Sequence, residues 1–121
     1  MFINITNHPS KDWSNAQVVA AEEYGEILDV AFPSVPPIAQ TKDVMELADT
    51  MVDLIAEYSP ECVLCQGEFC LCYAIISKLK ARGIKVVAAC TERIAKEKKT
   101  DDGQEKYSYF KFVQFREYCG V

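Results

Sequence analysis

A chain of 121 residues, 50% hydrophobic and 26% charged, can bury one core but is too short for a catalytic domain beside a separate binding domain. Its net charge of -5 argues against broad, salt-driven binding of duplex nucleic acid, which draws on many Lys and Arg contacts to phosphate. No apolar stretch approaches the roughly 18 residues that span a bilayer, and no basic segment leads into an apolar one at the N-terminus, so a single cytoplasmic domain over residues 1–121 with no membrane partner is expected.

Met1 to Ile5 reads as a short strand, followed by the polar cluster Thr6-Asn7-His8-Pro9. Ser14 with Gln17 three positions on fits a capping box opening a helix that carries Val18, Ala21 and Tyr24 and stops at Gly25. Ile27 to Phe32 is the second strand, and Pro33, Pro36 and Pro37 then enforce an extended crossing. Thr41 is the expected N-cap of the longest helix, in which Val44, Leu47, Ala48, Met51, Leu54, Ile55 and Tyr58 recur at three- and four-residue steps before Pro60.

Cys62 to Cys65 is a third, continuously apolar strand of the kind covered on both faces. Gln66-Gly67-Glu68-Phe69 turns into a third helix with Phe69, Cys72, Ile75, Ile76 and Leu79 on its buried side and Gly83 at its end. Ile84 to Ala89 is the fourth strand, followed by Cys90-Thr91-Glu92-Arg93 as a polar cluster. Asp102-Gly103 then signals a hairpin excursion over about 94–106 that returns as the aromatic run Tyr107 to Tyr118. In that run Phe110 and Phe112 share one face and Val113 and Phe115 the other, which implies a sheet interior or an interface with a second subunit.

Alternating strands and helices predict an α/β, Rossmann-like three-layer fold with a mostly parallel sheet of about four strands plus a C-terminal antiparallel strand or hairpin. In such sheets ligands bind in the crevice at the carboxyl ends of the strands, where the polar clusters converge. Six cysteines raise the question of a metal. Residues three apart on a strand face opposite ways and residues two apart on a helix diverge, so Cys62-x-x-Cys65 and Cys70-x-Cys72 read as buried or helix-face thiols, with no metal site, no cofactor and no disulfide expected in a reducing cytosol.

Among the clusters, Thr6, Asn7 and His8 lie on the expected rim, His8 as an acid, a base or a phosphate donor, or as a loop residue capping backbone. Gly67 between Gln66 and Glu68 lets an anion or ribose approach bare backbone at a helix N-terminus. Glu68 either bonds ribose hydroxyls or favours the first helical turn. Arg93 beside Thr91 and Glu92 offers a planar fork to a phosphate, or else pairs with carboxylates at the surface. Trp13 either stacks on a base or packs as an anchor, and Arg116-Glu117 reads as structural. Neither a dinucleotide nor a triphosphate glycine fingerprint is present.

Asn4-Ile5-Thr6-Asn7-His8-Pro9-Ser10 with Trp13 and Gln17, the Gln66-Gly67-Glu68-Phe69 turn, Glu92-Arg93, and Phe112-Val113-Gln114-Phe115-Arg116-Glu117-Tyr118 occur in this order along nearly the whole chain. In these motifs the chain resembles small stand-alone CRISPR-associated proteins and the CRISPR-associated Rossmann-fold sensor domains. The resemblance implies a homodimer whose two sheet rims form one cleft for a cyclic oligoadenylate, met by the loops around Asn7, His8, Gln66, Gly67, Glu68, Glu92 and Arg93. Some relatives of that kind cleave the messenger without metal, by attack of a ribose 2′-hydroxyl on the adjacent phosphate. In this chain Arg93 would then stabilise charge and His8 move a proton. Within these 121 residues no appended nuclease or DNA-binding domain is expected, so the segment would sense, sequester or cleave the messenger, or work through another protein. Two other classes compete: a non-catalytic nucleotide-binding or assembly protein, and a small nucleoside-processing enzyme using Glu68 or Glu92.

Overall fold

The computed structural model describes residues 1–120. In chain order the elements are β1 (Phe2–Thr6), a single 3-10 turn (Ser10–Asp12), α1 (Asn15–Glu22), β2 (Ile27–Ala31), α2 (Thr41–Glu57), β3 (Cys62–Cys65), α3 (Phe69–Ala81), β4 (Val86–Thr100) and β5 (Gly103–Glu117). The strands form one sheet in the order β2-β1-β3-β4-β5. The first four strands run parallel and β5 pairs antiparallel with β4, which bears out the expected mostly parallel, Rossmann-like α/β sheet. From β1 the chain first crosses outward to β2 and later returns past β1 to β3, so the strand order reverses between β1 and β3. That reversal opens a crevice at the carboxyl ends of these two strands.

Helices cover both faces. On one, Ile3, Ile5, Val63, Cys65 and Val86 pack against Ala48, Val52 and Ile55 of α2 and Leu71, Ile75 and Leu79 of α3. On the other, Phe2, Cys62, Leu64 and Val87 meet Ala21 of α1, with Trp13, Tyr24 and Phe115 around them. The alternation of Phe2 and Ile3, or of Leu64 and Cys65, between the two clusters is the two-residue period of a strand buried on both sides. Fully buried Ile or Leu side chains on these faces each contribute roughly 1.5–3 kcal/mol by leaving water. Gly25 follows α1 at φ +115°, and a Cβ there would stand 2.9 Å from the Met1 backbone nitrogen, so the helix stop and the entry to β1 share one tight corner. Among the described residues no helix is long and apolar enough to cross a membrane.

Four local expectations are corrected. The N-cap of α2 is Gln40, which exchanges bonds with Asp43 in a capping box, so Thr41 is the first helical residue. The inner stripe of α2 runs through Val44, Ala48, Met51, Val52 and Ile55, and Leu54 and Tyr58 turn outward. Phe69 is 90% exposed, because as the first residue of α3 it lies beyond the end of the sheet that the later turns of the helix cover. β4 does not stop at Ala89: it runs on to Thr100, and Thr91-Glu92-Arg93 is mid-strand rather than a loop.

The hairpin itself is present, with Asp101-Asp102 at its tip, but its pairing carries a bulge. Cys90 pairs with Gln114 while Thr91 pairs with Phe112, so Val113 is the additional residue. The inserted residue brings Phe112 and Phe115 to one face, with ring centroids 4.9 Å apart, in place of the expected split between faces.

Candidate functional site

The segment after β1 is held by a polar network seated on the sheet. Asn4, 1% exposed within β1, donates from Nδ2 to the Asp29 carboxylate on β2 and to the His8 carbonyl, both at 2.9 Å. The Thr6 hydroxyl accepts from the His8 N–H at 3.1 Å and lies 2.9 Å from Asn4 Oδ1. Trp13 Nε1 donates to the same His8 carbonyl at 3.0 Å, and Asp29 also accepts from the Ser10 N–H and hydroxyl. Every buried side-chain nitrogen and oxygen among the described residues has a partner, so this loop is shaped before any ligand arrives.

Across the β1/β3 crevice, Gln66 is equally constrained. Its backbone N–H donates to the Ile5 carbonyl and its Oε1 accepts from the Ala89 N–H at 2.9 Å, bridging to β4 where the β3 ladder has ended. The β3–α3 turn then does something the sequence left open. Glu68 is the N-cap of α3, and its two carboxylate oxygens accept from the Cys70 N–H at 3.0 Å and the Leu71 N–H at 2.7 Å. Those two backbone bonds hold the Glu68 carboxyl below its usual range. The helix N-terminus that was expected to receive an anion is therefore already occupied by the chain's own carboxylate. Gly67 is also explained from within: a Cβ there would lie 2.6 Å from three carbons of the Phe32 ring, so the glycine admits a core phenylalanine.

These segments enclose a cleft of about 590 Å³ on the α1 side of the sheet, a volume ordinary for small-molecule sites. Its polar wall comes from Thr6, Asn7, His8, Gln66 and Gly67 at the strand ends and from Asp12, Ser14 and Gln17 at the entry to α1. Ser14 caps that helix by accepting from the Gln17 N–H. Its apolar wall is Trp13, Leu64, Ala89, Phe110 and Phe112, with Thr91 between the strands. Behind it the rings of Phe112, Phe115, Phe2 and Trp13 touch in sequence at centroid distances of 4.9, 5.1 and 6.2 Å, a rigid aromatic backing that joins the hairpin to the loop before α1.

Of the residues singled out from the sequence, Thr6, Asn7, His8, Gln66, Gly67 and Thr91 come together in this cleft. Glu68 is turned into α3, and Phe69 borders a different groove beside Tyr118. Glu92 pairs with Lys111 and Arg93 with Phe110 in the hairpin ladder. Because strand neighbours face opposite ways, Glu92 is on the far face from Thr91, while Arg93 is on the cleft side one step beyond it. The sequence reading missed Asp12, Ser14, Phe110 and Phe112 as wall residues and Asp29 as the strut beneath the loop. Asp29 had a signal, a lone acid inside the apolar run Ile27 to Phe32. The aromatic wall had none, since it depends on the hairpin register.

A mostly parallel sheet with helices on both faces and a cleft at its β1/β3 reversal defines an α/β domain of Rossmann-like architecture. The chain belongs to the uncharacterized protein MJ1673 family, whose model matches residues 1–116. No curated protein and no solved structure matches it.

Proposed function

We propose that this protein binds a small nucleotide in the cleft at the β1/β3 reversal, with a base stacked on Phe110 and Phe112. The observation that carries the reading is the convergence of three separate segments, β1–α1, β3–α3 and the hairpin, on one cleft with a polar wall facing an aromatic one. Asn7, Gln66 and Gln17 supply amide donors and acceptors for a base edge, and Asp12 accepts from an exocyclic amine or a ribose hydroxyl. No Lys or Arg lines the cleft, so phosphates extend out of it toward Arg93 on the hairpin.

The ligand class we propose is a cyclic oligoadenylate, from the resemblance to CRISPR-associated Rossmann-fold sensors, met by a homodimer that contributes two such rims. In turnover His8 would move the ribose 2′-hydroxyl proton and Arg93 would meet the charge developing on phosphate. Binding without turnover is the second reading. It is favoured by the cleft lining, which holds no Lys or Arg to meet charge developing on phosphate, while the commitment of both Glu68 oxygens to the α3 cap speaks against a nucleoside-processing enzyme that uses Glu68.

Isothermal titration with cyclic tetra-adenylate, cyclic hexa-adenylate and adenosine, followed by chromatography of the incubated mixtures, tests both. Saturable binding that Phe112→Ala weakens about tenfold or more supports the site, in line with the roughly 1–3 kcal/mol of a base–aromatic stack. Linear products separate a ring nuclease from a sensor. Absence of binding by all three compounds removes the proposal.

A further inference from the structure

Cys65 ends β3 and Cys72 stands in the first turn of α3, on the face of the sheet opposite the cleft. Their sulfurs are 3.7 Å apart, and the Cys72 Sγ lies 3.6 Å from the Cys65 carbonyl. The same carbonyl accepts from the Tyr118 hydroxyl at 2.8 Å, so a phenol and two thiols crowd one point. Cys65 is fully buried, whereas Cys72 retains 8% exposure and lines a groove of about 520 Å³ with Phe69, Tyr73, Tyr118 and Cys119. One sulfur of the pair is therefore open to a small reagent, and the other is within reach of it alone.

We propose that Cys65 and Cys72 are a redox-active dithiol that a hydroperoxide oxidises to a disulfide, Cys72 being the sulfur attacked first and Cys65 the resolving thiol. The proposal is independent of any ligand in the cleft. In the first step the Cys72 thiolate attacks the terminal peroxide oxygen. The O–O bond breaks, the leaving alkoxide or hydroxide takes up a proton, and Cys72 becomes a sulfenic acid. In the second step the Cys65 sulfur attacks the sulfenic sulfur, the S–O bond breaks, and water leaves with the Cys65 proton. Two thiols lose two electrons and two protons, and one peroxide becomes an alcohol, or a water, together with a second water. Closing from contact to a bond of about 2.05 Å requires rotation of the side chains and a small approach of strand to helix.

The surroundings favour Cys72 as the thiolate. The Cys65 thiol and the Gly67 N–H stabilise its charged form and hold its pKa down against burial and the Glu68 carboxylate, which act the other way. The remaining members of the segment stand apart. Cys62 lies on the α1 face, its thiol pushed up to about 11 by burial, and Cys70 is exposed. A Cys65–Cys72 bond closes a loop around Gln66 and Gly67, so oxidation braces one wall of the cleft from behind.

The test oxidises the full-length chain with hydrogen peroxide, blocks the residual thiols with iodoacetamide and maps peptides by mass spectrometry. It is run on the unaltered chain and on the Cys70→Ser/Cys119→Ser variant, whose changes are both at exposed positions. The expected result is a Cys65–Cys72 cross-link and the loss of two thiols in each, with Cys72 reacting about tenfold or more faster than Cys62. Adding Cys65→Ser should arrest the reaction at a Cys72 sulfenic acid that dimedone captures. Retention of both thiols, dimedone on a different cysteine, or a Cys72–Cys119 link in the unaltered chain would each overturn the assignment. The unaltered chain needs no substitution to fold, so the mapping stands whether or not the variants do.

Discussion

At Gly67 the absence of a side chain serves the core. The ring of Phe32, 7% exposed, fills the space a Cβ would need, with three ring carbons at 2.6 Å. Neither the ring nor the turn can move far, because Gln66 is tied to Ile5 and Ala89 on one side and Glu68 to the first turn of α3 on the other. Gly67→Ala should therefore destabilise the fold by about 1–3 kcal/mol, as overpacked cores do, read as a lower urea midpoint at unchanged slope. Pairing it with Phe32→Leu should restore part of the loss. An unaltered midpoint for Gly67→Ala would show that the Phe32 ring yields to a Cβ at no cost and that packing does not set the glycine. Glu68 carries a pH signature of its own. Its carboxyl is held below its ordinary range by two backbone donors in the folded state, so its contribution is complete above the unfolded pKa and disappears as pH falls through the lower folded one. Thermal melts of Glu68→Gln and the unaltered chain should thus differ at neutral pH and converge on acidification below about pH 4. A difference that persists at acid pH would assign the effect to side-chain shape instead.

At the scale of elements, the outer part of the β4–β5 hairpin is the part of the fold that no helix supports. Beyond Arg93 and Phe110 its strands are exposed almost throughout, and β5 is an open edge of the sheet with Tyr107, Tyr109, Phe110 and Val113 outward. Backbone amides over 95–109 should exchange with solvent faster than those of β1 and β3, whose strands are buried on both faces. In the proposed homodimer the protection of this edge rises with protein concentration. Exchange independent of concentration, together with a monomer mass by light scattering, would remove the dimer. The hairpin also marks where sequence reading stops. β1, β3 and the start of β4 are apolar on both faces, and their length and flanking turns identify them directly. Past Ala89 the strand has polar residues on both sides, so no core pattern reports its extent, and a single-residue bulge at Val113 leaves no mark in composition while bringing Phe115 to the face of Phe112. The candidate site was legible in the same measure. Thr6-Asn7-His8 and Gln66-Gly67 follow strands whose ends are evident, whereas the aromatic wall rests on that bulge. Glu68 reads alike as a cap or as a ligand contact until its two oxygens are seen on backbone donors.

For the whole molecule the decisive property is an uneven field. There are 18 acidic against 13 basic residues, and the outer surface of α2 carries Asp43, Glu46, Asp49, Asp53 and Glu57. The hairpin, by contrast, is close to neutral: Lys96, Lys98, Lys99 and Lys106 beyond Arg93 are matched by Glu97, Asp101, Asp102 and Glu105, and Lys106 is paired with Glu97. An anionic ligand is thus repelled by the body and much less by the arm, while the cleft itself offers Asp12 and neutral polar groups with no Lys or Arg. If a cyclic oligoadenylate seats a base against Phe110 and Phe112, its phosphates must leave the cleft on the hairpin side, and base and phosphate are read by different residues. Arg93→Ala should then weaken cyclic tetra-adenylate about tenfold, roughly 1.4 kcal/mol, and leave adenosine unchanged, while Phe112→Ala weakens both. Raising the salt from about 50 to about 200 mM should weaken the cyclic ligand alone, since solvent-exposed charges are screened over about 10 Å and an aromatic stack is not. Equal losses for the two ligands in Arg93→Ala would mean that the arginine supports the fold of the hairpin and touches no phosphate. An affinity for adenosine that falls with salt as steeply as that of the cyclic ligand would mean that the binding site lies outside this cleft.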